Sequence, residues 1–150
     1  MVWAIALLAL LLIIGAFGYR AEKRADAKFT HHFARSVNDY CRRISAGDCQ
    51  VASPESYGYH PVRGEVVFAI LEGISDHDTK AQGRLIVTSK AVIFETQIRS
   101  ERLVYSGLSN VEAKRDGVEI RRRKGPRRAY RLTDPNSLGL LVAAYQQAAI

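Results

Sequence analysis

The sequence predicts an N-terminal transmembrane helix and helical stalk, followed by a mainly-β barrel of seven antiparallel strands that a C-terminal helix caps. Three observations carry this prediction. The first nineteen residues hold no charged side chain, residues 64–133 alternate between apolar and polar with a period near two, and residues 138–145 return to helical spacing. A chain of 150 residues is long enough for one modest domain beside such a helix.

The apolar run at the N-terminus is predicted to anchor the protein in a membrane. Residues 2–19 would reach about 27 Å as a helix, at about 1.5 Å per residue, which is close to the ~30 Å hydrocarbon core of a bilayer. A cleaved signal peptide is the alternative, since Ala16-Phe17-Gly18 loosely fits a cleavage site. No Lys or Arg precedes the run, however, and the run is longer than the apolar core of such peptides.

The basic residues beside this run predict its orientation. Lys and Arg follow the run and none precedes it, the nearest being Arg20, Lys23, Arg24 and Lys28. The positive-inside rule then predicts a single-pass protein of the cell inner (plasma) membrane, with its N-terminus outside and its C-terminal domain in the cytoplasm.

Residues 20–45 are predicted to form an amphipathic stalk helix, and residues 46–61 a linker. The stalk carries apolar residues three or four positions apart, at Ala21, Ala25, Phe29, Phe33, Val37, Tyr40 and Ile44. This stripe could pair with a second copy of the chain, lie on lipid headgroups or pack against the protein's own domain. The linker is rich in Ser, Gly and Pro and has no apolar periodicity.

No cofactor or metal is predicted from the cysteines, histidines or acidic residues. Cys41 and Cys49 lack the paired spacing of a zinc site and are interpreted as free thiols, with a short-loop disulfide as the alternative under reversed topology. His31 and His32 are adjacent and would point to different sides of a helix. Asp76-His77-Asp78 is interpreted as a polar loop.

Seven short strands are predicted from the β-type alternation. Leu85 and Val87 in one run, and Val92 and Phe94 in the next, place apolar residues on one face, which is typical of a half-buried antiparallel hairpin. Asp116-Gly117 predicts a tight turn. The predicted strands cover residues 64–73, 83–88, 91–98, 101–105, 108–114, 118–123 and 127–133.

A closing helix is predicted to plug the open end of this sheet. Asp134 suits the N-cap and Pro135 the first turn. Its apolar stripe follows at Leu138, Leu141, Val142 and Tyr145.

The run GRLIVTSKAVIFE, followed by ERLVYSGLSNVEAKRDGVEIRRRKGPRRAYRLTD, resembles the pleckstrin-homology (PH)-like fold, and within it the GRAM-like and bacterial membrane-associated variants. The matching features are a G-x-L-x-V-T hairpin, a Y-S-x-L strand start, a D-G-V-x-I turn and a closing helix. The resemblance implies a PH-like domain over residues 62–150 that binds other molecules and does not turn over a substrate. Phosphoinositide-binding members use basic residues in the loop between the first two strands, whereas Glu72 to Gln82 here carries three acidic residues against Lys80.

The net charge of +7 is concentrated near the C-terminus, because residues 114–150 hold nine basic and three acidic side chains. Most of the basic ones belong to the sixth and seventh strands and their turn, and we call these seven the basic hairpin. They are the candidate binding residues: Arg121, Arg122, Arg123, Lys124, Arg127, Arg128 and Arg131. The alternative is a solvated edge whose charges oppose aggregation.

The function predicted from the sequence is an adapter or scaffold that binds a protein partner at the cytoplasmic face of the membrane. The first alternative is a sensor of anionic lipid headgroups that uses the basic hairpin, since each basic side chain near a bilayer contributes about 1 kcal/mol. The second is self-association through the stalk. Nucleic acid is disfavoured because no aromatic residues alternate with the arginines. No catalytic motif of the GxSxG or HExxH type occurs, so an enzyme is not expected.

Overall fold

The structure is a computed structural model, and it describes residues 2–76, 80–134 and 137–149, with the backbone alone for residues 2–20. The chain divides into two compact units, Met1–Phe33 and Ala34–Ile150. A long helix, α1 (Val2–Ala46), supplies all of the first unit that is described and begins the second.

Helix α1 continues through the predicted stalk. Its apolar spacing places Phe29 and Phe33 one turn apart, with ring centroids at 5.8 Å and nearly parallel planes. The hydroxyl of Thr30 donates to the carbonyl oxygen of Asp26 at 2.8 Å within the same helix. A helix at the predicted position is therefore present.

The helices that the structure describes contradict the predicted membrane localisation. None of them combines the length and the apolar character that a bilayer crossing requires. On this finding, the localisation in the inner membrane with the N-terminus outside is wrong. The predicted anchor itself, residues 2–19, lies outside the residues whose side chains the structure describes.

The second unit contains one seven-stranded antiparallel sheet whose strands lie in the order β4-β3-β2-β1-β7-β6-β5. All seven predicted strands occur near their predicted positions. Their bounds are β1 Val67–Ser75, β2 Gln82–Thr88, β3 Ala91–Glu95, β4 Ser100–Val104, β5 Leu108–Lys114, β6 Gly117–Arg122 and β7 Arg128–Leu132.

The sheet is open, which corrects the prediction of a closed barrel. Strands β4 and β5 follow one another in the chain but form the two edges of the sheet, with no ladder between them. A short 3-10 turn, Tyr105–Gly107, separates the two strands.

The inner face of the sheet carries the main core. Leu85, Val87, Val92 and Phe94 are buried there, as the alternation predicts, and the Phe94 ring lies 4.8 Å from that of Tyr130. Such tilted aromatic contacts add to the stability that apolar burial already provides.

Helix α2 (Leu138–Ala148) packs over this core with its predicted stripe inward. The residue at its N-cap position is Ser137 rather than the predicted Asp134. The Ser137 side chain makes no capping hydrogen bond, and its hydroxyl instead donates to the Asp134 carboxylate at 2.6 Å. The predicted first-turn Pro135 lies outside the described residues.

The outer face of β1–β3 is also buried, so the predicted half-buried hairpin is buried on both faces. Ile86 and Ile93 form a second apolar cluster with Val67, Ala91 and Tyr59. Residues 49–65, which we call the cover segment, supply the other side of this cluster. The Val51 amide donates to the Val67 carbonyl at 2.8 Å, and a 3-10 helix, Pro54–Tyr57, follows. The predicted linker residues therefore pack on the sheet.

Residues 34–46 of α1 pack against α2 within the second unit. The contact is closest at Gly139, where an added Cβ would overlap the Ser36 hydroxyl. Further along, the Cys41 Sγ lies 3.7 Å from the Gln146 Oε1 and the Ser45 hydroxyl donates to the Gln147 Oε1 at 3.3 Å. A small residue at position 139 is thus what lets the two helices approach.

Candidate functional site

The basic hairpin lies on β6, β7 and the turn between them, and its members differ in what they contact. Along β6, Val118 and Ile120 face the core while Arg121 is exposed, as the alternation predicts. Five of the seven basic residues form ion pairs with carboxylates of their own unit, namely Arg121, Arg122, Arg127, Arg128 and Arg131.

Three of these pairs lie on the outer surface. Arg121 and Arg127 both reach Glu119, with nitrogen to oxygen distances of 3.0 and 3.4 Å. Arg131 contacts Asp76 at 2.9 Å. Exposed pairs of this kind contribute little to stability, about 0–1 kcal/mol, but each one partly neutralises the positive surface.

The other two paired arginines turn towards the inside of the sheet. The Arg128 Nε donates to both carboxylate oxygens of Glu101 at 2.9 Å, and an Arg122 nitrogen lies 3.8 Å from the same carboxylate. Glu101 belongs to β4, so these contacts connect the edge strand to the β6–β7 hairpin. Strand alternation predicts this arrangement. Arg122 lies two residues after the buried Ile120 and therefore faces the same side, and Arg128 pairs with Ile120 in the ladder.

Arg123 and Lys124 have no carboxylate partner among the residues that the structure describes. The Arg123 Nε donates to the Leu108 carbonyl at 3.1 Å, which leaves the terminal nitrogens of its guanidinium available. Both side chains are exposed and lie at the rim of a cavity of about 440 Å³ where the sheet is open. We call it the β4–β5 cavity, and its lining is Arg102, Leu103, Val104, Gly107, Leu108, Arg122, Arg123 and Lys124.

The wall of the β4–β5 cavity is apolar and its rim is cationic. Leu103 and Leu108 are buried behind it, Val104 remains 46 % exposed, and the space beside Gly107 is open, with no atom within 4 Å of an added Cβ. The volume lies in the range of small-ligand sites, about 300–1,000 Å³. The cavity therefore offers an apolar surface next to cations that the domain does not neutralise.

The strand order and the helix that packs over the core now define the architecture. An antiparallel sheet of seven strands with this order, followed by a C-terminal helix, fits a PH-like fold. The second unit has a PH-like fold. No protein-family model and no curated protein matches the chain.

Two solved structures are similar to parts of this chain. One is the C-terminal domain of an unknown protein from Leishmania infantum, with 12 % identity and a TM-score of 0.47, covering 65 % of this chain and 92 % of that one. The other is the N-terminal PH domain of the human ARAP2 protein, with 11 % identity and a TM-score of 0.40, covering 61 % of this chain and 84 % of that one.

A second, larger groove of about 950 Å³ lies on the PH-like domain near the start of β2 and the loop after β3. Ile98, which is 93 % exposed, and Tyr57 contribute apolar surface to it. Its lining includes a closed ion pair, in which the Arg84 Nε donates to Glu95 at 2.8 Å, and the acidic Glu72. Among the described residues that line this groove, Arg84 is the one cation, and Glu95 already pairs with it, in keeping with the acidic loop that the sequence shows between the first two strands.

Glu65 is a buried carboxylate that no sequence pattern singles out. Its side chain is 0 % exposed and accepts hydrogen bonds from Thr88 at 2.6 Å, Arg102 at 2.6 Å, and Tyr59 and the Val62 amide at 3.0 Å. Burial raises the pKa of Glu65, but the hydrogen bonds from Thr88, Arg102, Val62 and Tyr59 outweigh it, so the pKa lies below its ordinary value. This network fixes the cover segment to β2 and β4.

The remaining sequence candidates are Asp76-His77-Asp78 and the two cysteines. Asp76 pairs with Arg131, while His77 and Asp78 lie outside the described residues. Among the residues described, no group of three His, Cys, Asp or Glu side chains could hold a metal ion. Cys41 and Cys49 are free thiols, and burial raises the pKa of Cys49 although the nearby Arg43 lowers it.

Proposed function

We propose that this chain is a non-catalytic binding module that docks a protein partner at the β4–β5 cavity. The observation that supports the proposal most is the pair Arg123 and Lys124, which lies at the rim of an apolar cavity without a carboxylate partner among the described residues. A partner that brings one anionic group and an apolar side chain would match both parts of this surface. Burying Val104 and the cavity wall supplies the apolar contribution to affinity.

The open edge of β4 supports a polypeptide partner. β4 pairs only with β3 among the described strands, so its outer side presents backbone groups that an extended segment can bind. Val104 ends this edge and lines the cavity. A segment along β4 would therefore reach the cations at the rim.

A sensor of anionic lipid headgroups is the alternative function, and the ion pairs disfavour it. Attraction to an anionic surface grows with the number of basic side chains that face it. Within the basic hairpin only Arg123 and Lys124 lack a carboxylate partner among the described residues, which weakens the field that a lipid surface would meet. Self-association through the Phe29 and Phe33 stripe remains a separate proposal, which crosslinking of a Phe29→Asp variant would test.

The proposal is tested by a photo-crosslinking amino acid placed at Val104 of the full chain, in its native cells. Asp116 is the matched control, because its side chain is 76 % exposed and it lies at the opposite end of β6. We expect one protein to crosslink from Val104 and not from Asp116, and the crosslink to disappear when Arg123 and Lys124 are both changed to Glu. Equal products from the two positions, or a lipid adduct at Val104, would overturn the proposal.

A further inference from the structure

We propose that the β4–β5 cavity recognises the C-terminal residue of its partner, taking an apolar side chain into the cavity and the α-carboxylate onto Lys124 and Arg123. This inference rests on the proposed function and names the chemistry of the segment that binds. It follows from three features of the cavity: its volume, the apolar character of its wall and the position of its free cations.

The first feature is the apolar wall, which an anion alone would leave uncovered. Leu103 and Leu108 form the buried part of the wall, and Val104 and Gly107 leave it open to solvent. A side chain of the size of Val, Leu or Ile gains favourable free energy when such a wall removes it from water. The cavity is large enough for such a side chain at about 440 Å³. The ligand therefore needs an apolar body.

The second feature is the positive charge at the rim, which favours a ligand with a carboxylate. Arg102 and Arg122 also line the cavity, but Arg102 contacts Glu65 at 2.6 Å and Arg122 lies 3.8 Å from Glu101. Lys124 forms no ion pair or hydrogen bond with the residues described, and Arg123 uses only its Nε, on Leu108. These two side chains can donate charge-assisted hydrogen bonds to a bound carboxylate.

The third feature is that the cations and the apolar wall are side by side, which favours a chain terminus over an internal acidic residue. In an extended peptide, neighbouring side chains point to opposite faces, and side chains on one face are two residues apart, about 7 Å. An internal apolar residue and an adjacent Asp or Glu therefore point to opposite faces, and an acidic residue on the same face lies about 7 Å further along the peptide. A C-terminal residue carries its apolar side chain and its carboxylate on the same Cα, so it presents both at once.

The test is fluorescence anisotropy of the full chain with a labelled octapeptide that ends in Val-Leu, made with a free carboxylate or with a C-terminal amide. We expect the free acid to bind about tenfold more tightly, the size expected for one charge-assisted hydrogen-bonded group. Octanoate, which has an apolar body and a carboxylate but no peptide, is added as a competitor to separate a fatty acid from a peptide terminus.

Two variants remove the two halves of the site, and a third is the control. Lys124→Glu removes a free cation, and Gly107→Val fills the open space without changing charge. Lys124→Glu should reduce the preference for the free acid, and Gly107→Val should weaken the binding of both peptides. Arg63→Glu makes the same charge change as Lys124→Glu at an exposed position whose side chain lies outside the cavity lining, and it should keep that preference.

The outcomes separate this inference from the proposed function. Tighter binding of the free acid that needs Lys124, with the binding of both peptides weakened in Gly107→Val, supports the inference. Equal binding of acid and amide, or no binding of either, overturns it. Displacement of the peptide by an equal concentration of octanoate also overturns it. The proposed function survives any of these if Val104 still crosslinks to an internal segment of one protein and Asp116 does not. It fails if that crosslink is absent, if Asp116 gives the same products, if Val104 captures a lipid, or if the charge reversal of Arg123 and Lys124 leaves the Val104 product unchanged.

Discussion

Arg128 of β7 donates from its Nε to both carboxylate oxygens of Glu101 in β4, at 2.9 Å each, across the opening between the two edges of the sheet. A second nitrogen of the same guanidinium lies 2.8 Å from Glu101. Where backbone hydrogen bonds would complete a barrel, this side-chain contact connects edge strand β4 to the β6–β7 hairpin. It also keeps β4 next to the cavity that the proposed partner occupies.

Removing this contact should destabilise the domain. Both side chains are mostly buried, so Arg128→Ala would remove the closest cationic partner of the Glu101 carboxylate and lower the free energy of unfolding by about 1–3 kcal/mol. Arg127→Ala is the control, because the Arg127 side chain is 72 % exposed and Arg121 still pairs with Glu119 at 3.0 Å, so its change should stay within about 0.5 kcal/mol. Urea unfolding measures both. Equal changes in the two variants would contradict a bridging role for Arg128.

Acid should weaken the attachment of the cover segment through Glu65. The pKa of Glu65 lies below its ordinary value of 4.5 in the folded state, so the stability that it contributes is present above about pH 4.5 and is lost as pH falls through the folded pKa. In Glu65→Gln this part of the pH dependence disappears. Urea midpoints between pH 6 and pH 3 should therefore fall more steeply in the wild type than in the variant, and parallel curves would refute the assignment.

Gly139→Ala should separate the two helices of the second unit. The added methyl group would overlap the Ser36 hydroxyl of α1, and relief requires a shift of packed helices, which costs about 1–3 kcal/mol. Gly107→Ala is the matched control, since no atom lies within 4 Å of its added Cβ. Thermal unfolding should show a lower midpoint for the first variant alone. An unchanged midpoint in Gly139→Ala would mean that the helices do not approach as described.

The packing of the cover segment predicts that the two thiols react at different rates. Cys49 is buried and its pKa is raised, whereas Cys41 on α1 is partly exposed. Iodoacetamide at pH 8 should modify Cys41 first, and mass spectrometry of the digested protein would follow both sites. In urea the two should react alike. Equal rates in the folded protein would indicate that residues 46–61 behave as the free linker that the sequence predicts.

The strands and the closing helix could be predicted because their burial follows a short period. Leu85, Val87, Val92 and Phe94 share one face of the β2–β3 hairpin and are buried there, as a period of two predicts. The N-cap was misplaced by three residues, at Asp134 instead of Ser137, because both are good capping residues and local chemistry does not separate them.

The two features that organise the site depend on contacts between distant residues. Glu65 meets Thr88 and Arg102 only after the sheet has formed, and nothing in the sequence around it distinguishes it from a surface acid. The cover segment lacks periodicity because it packs as an irregular chain on Ile86 and Ile93. By contrast, the inward direction of Arg122 and Arg128 could have been inferred, because both should lie on the same face of the sheet as the buried Ile120.

Crosslinking from Val104 of the full chain, compared with Asp116, tests the central claim most directly. If the β4–β5 cavity is the docking site, Val104 captures a segment of one protein, Asp116 does not, and reversal of Arg123 and Lys124 to Glu abolishes the capture. If both positions give the same products, or if the charge reversal leaves the Val104 product unchanged, the claim that this cavity binds the partner is wrong.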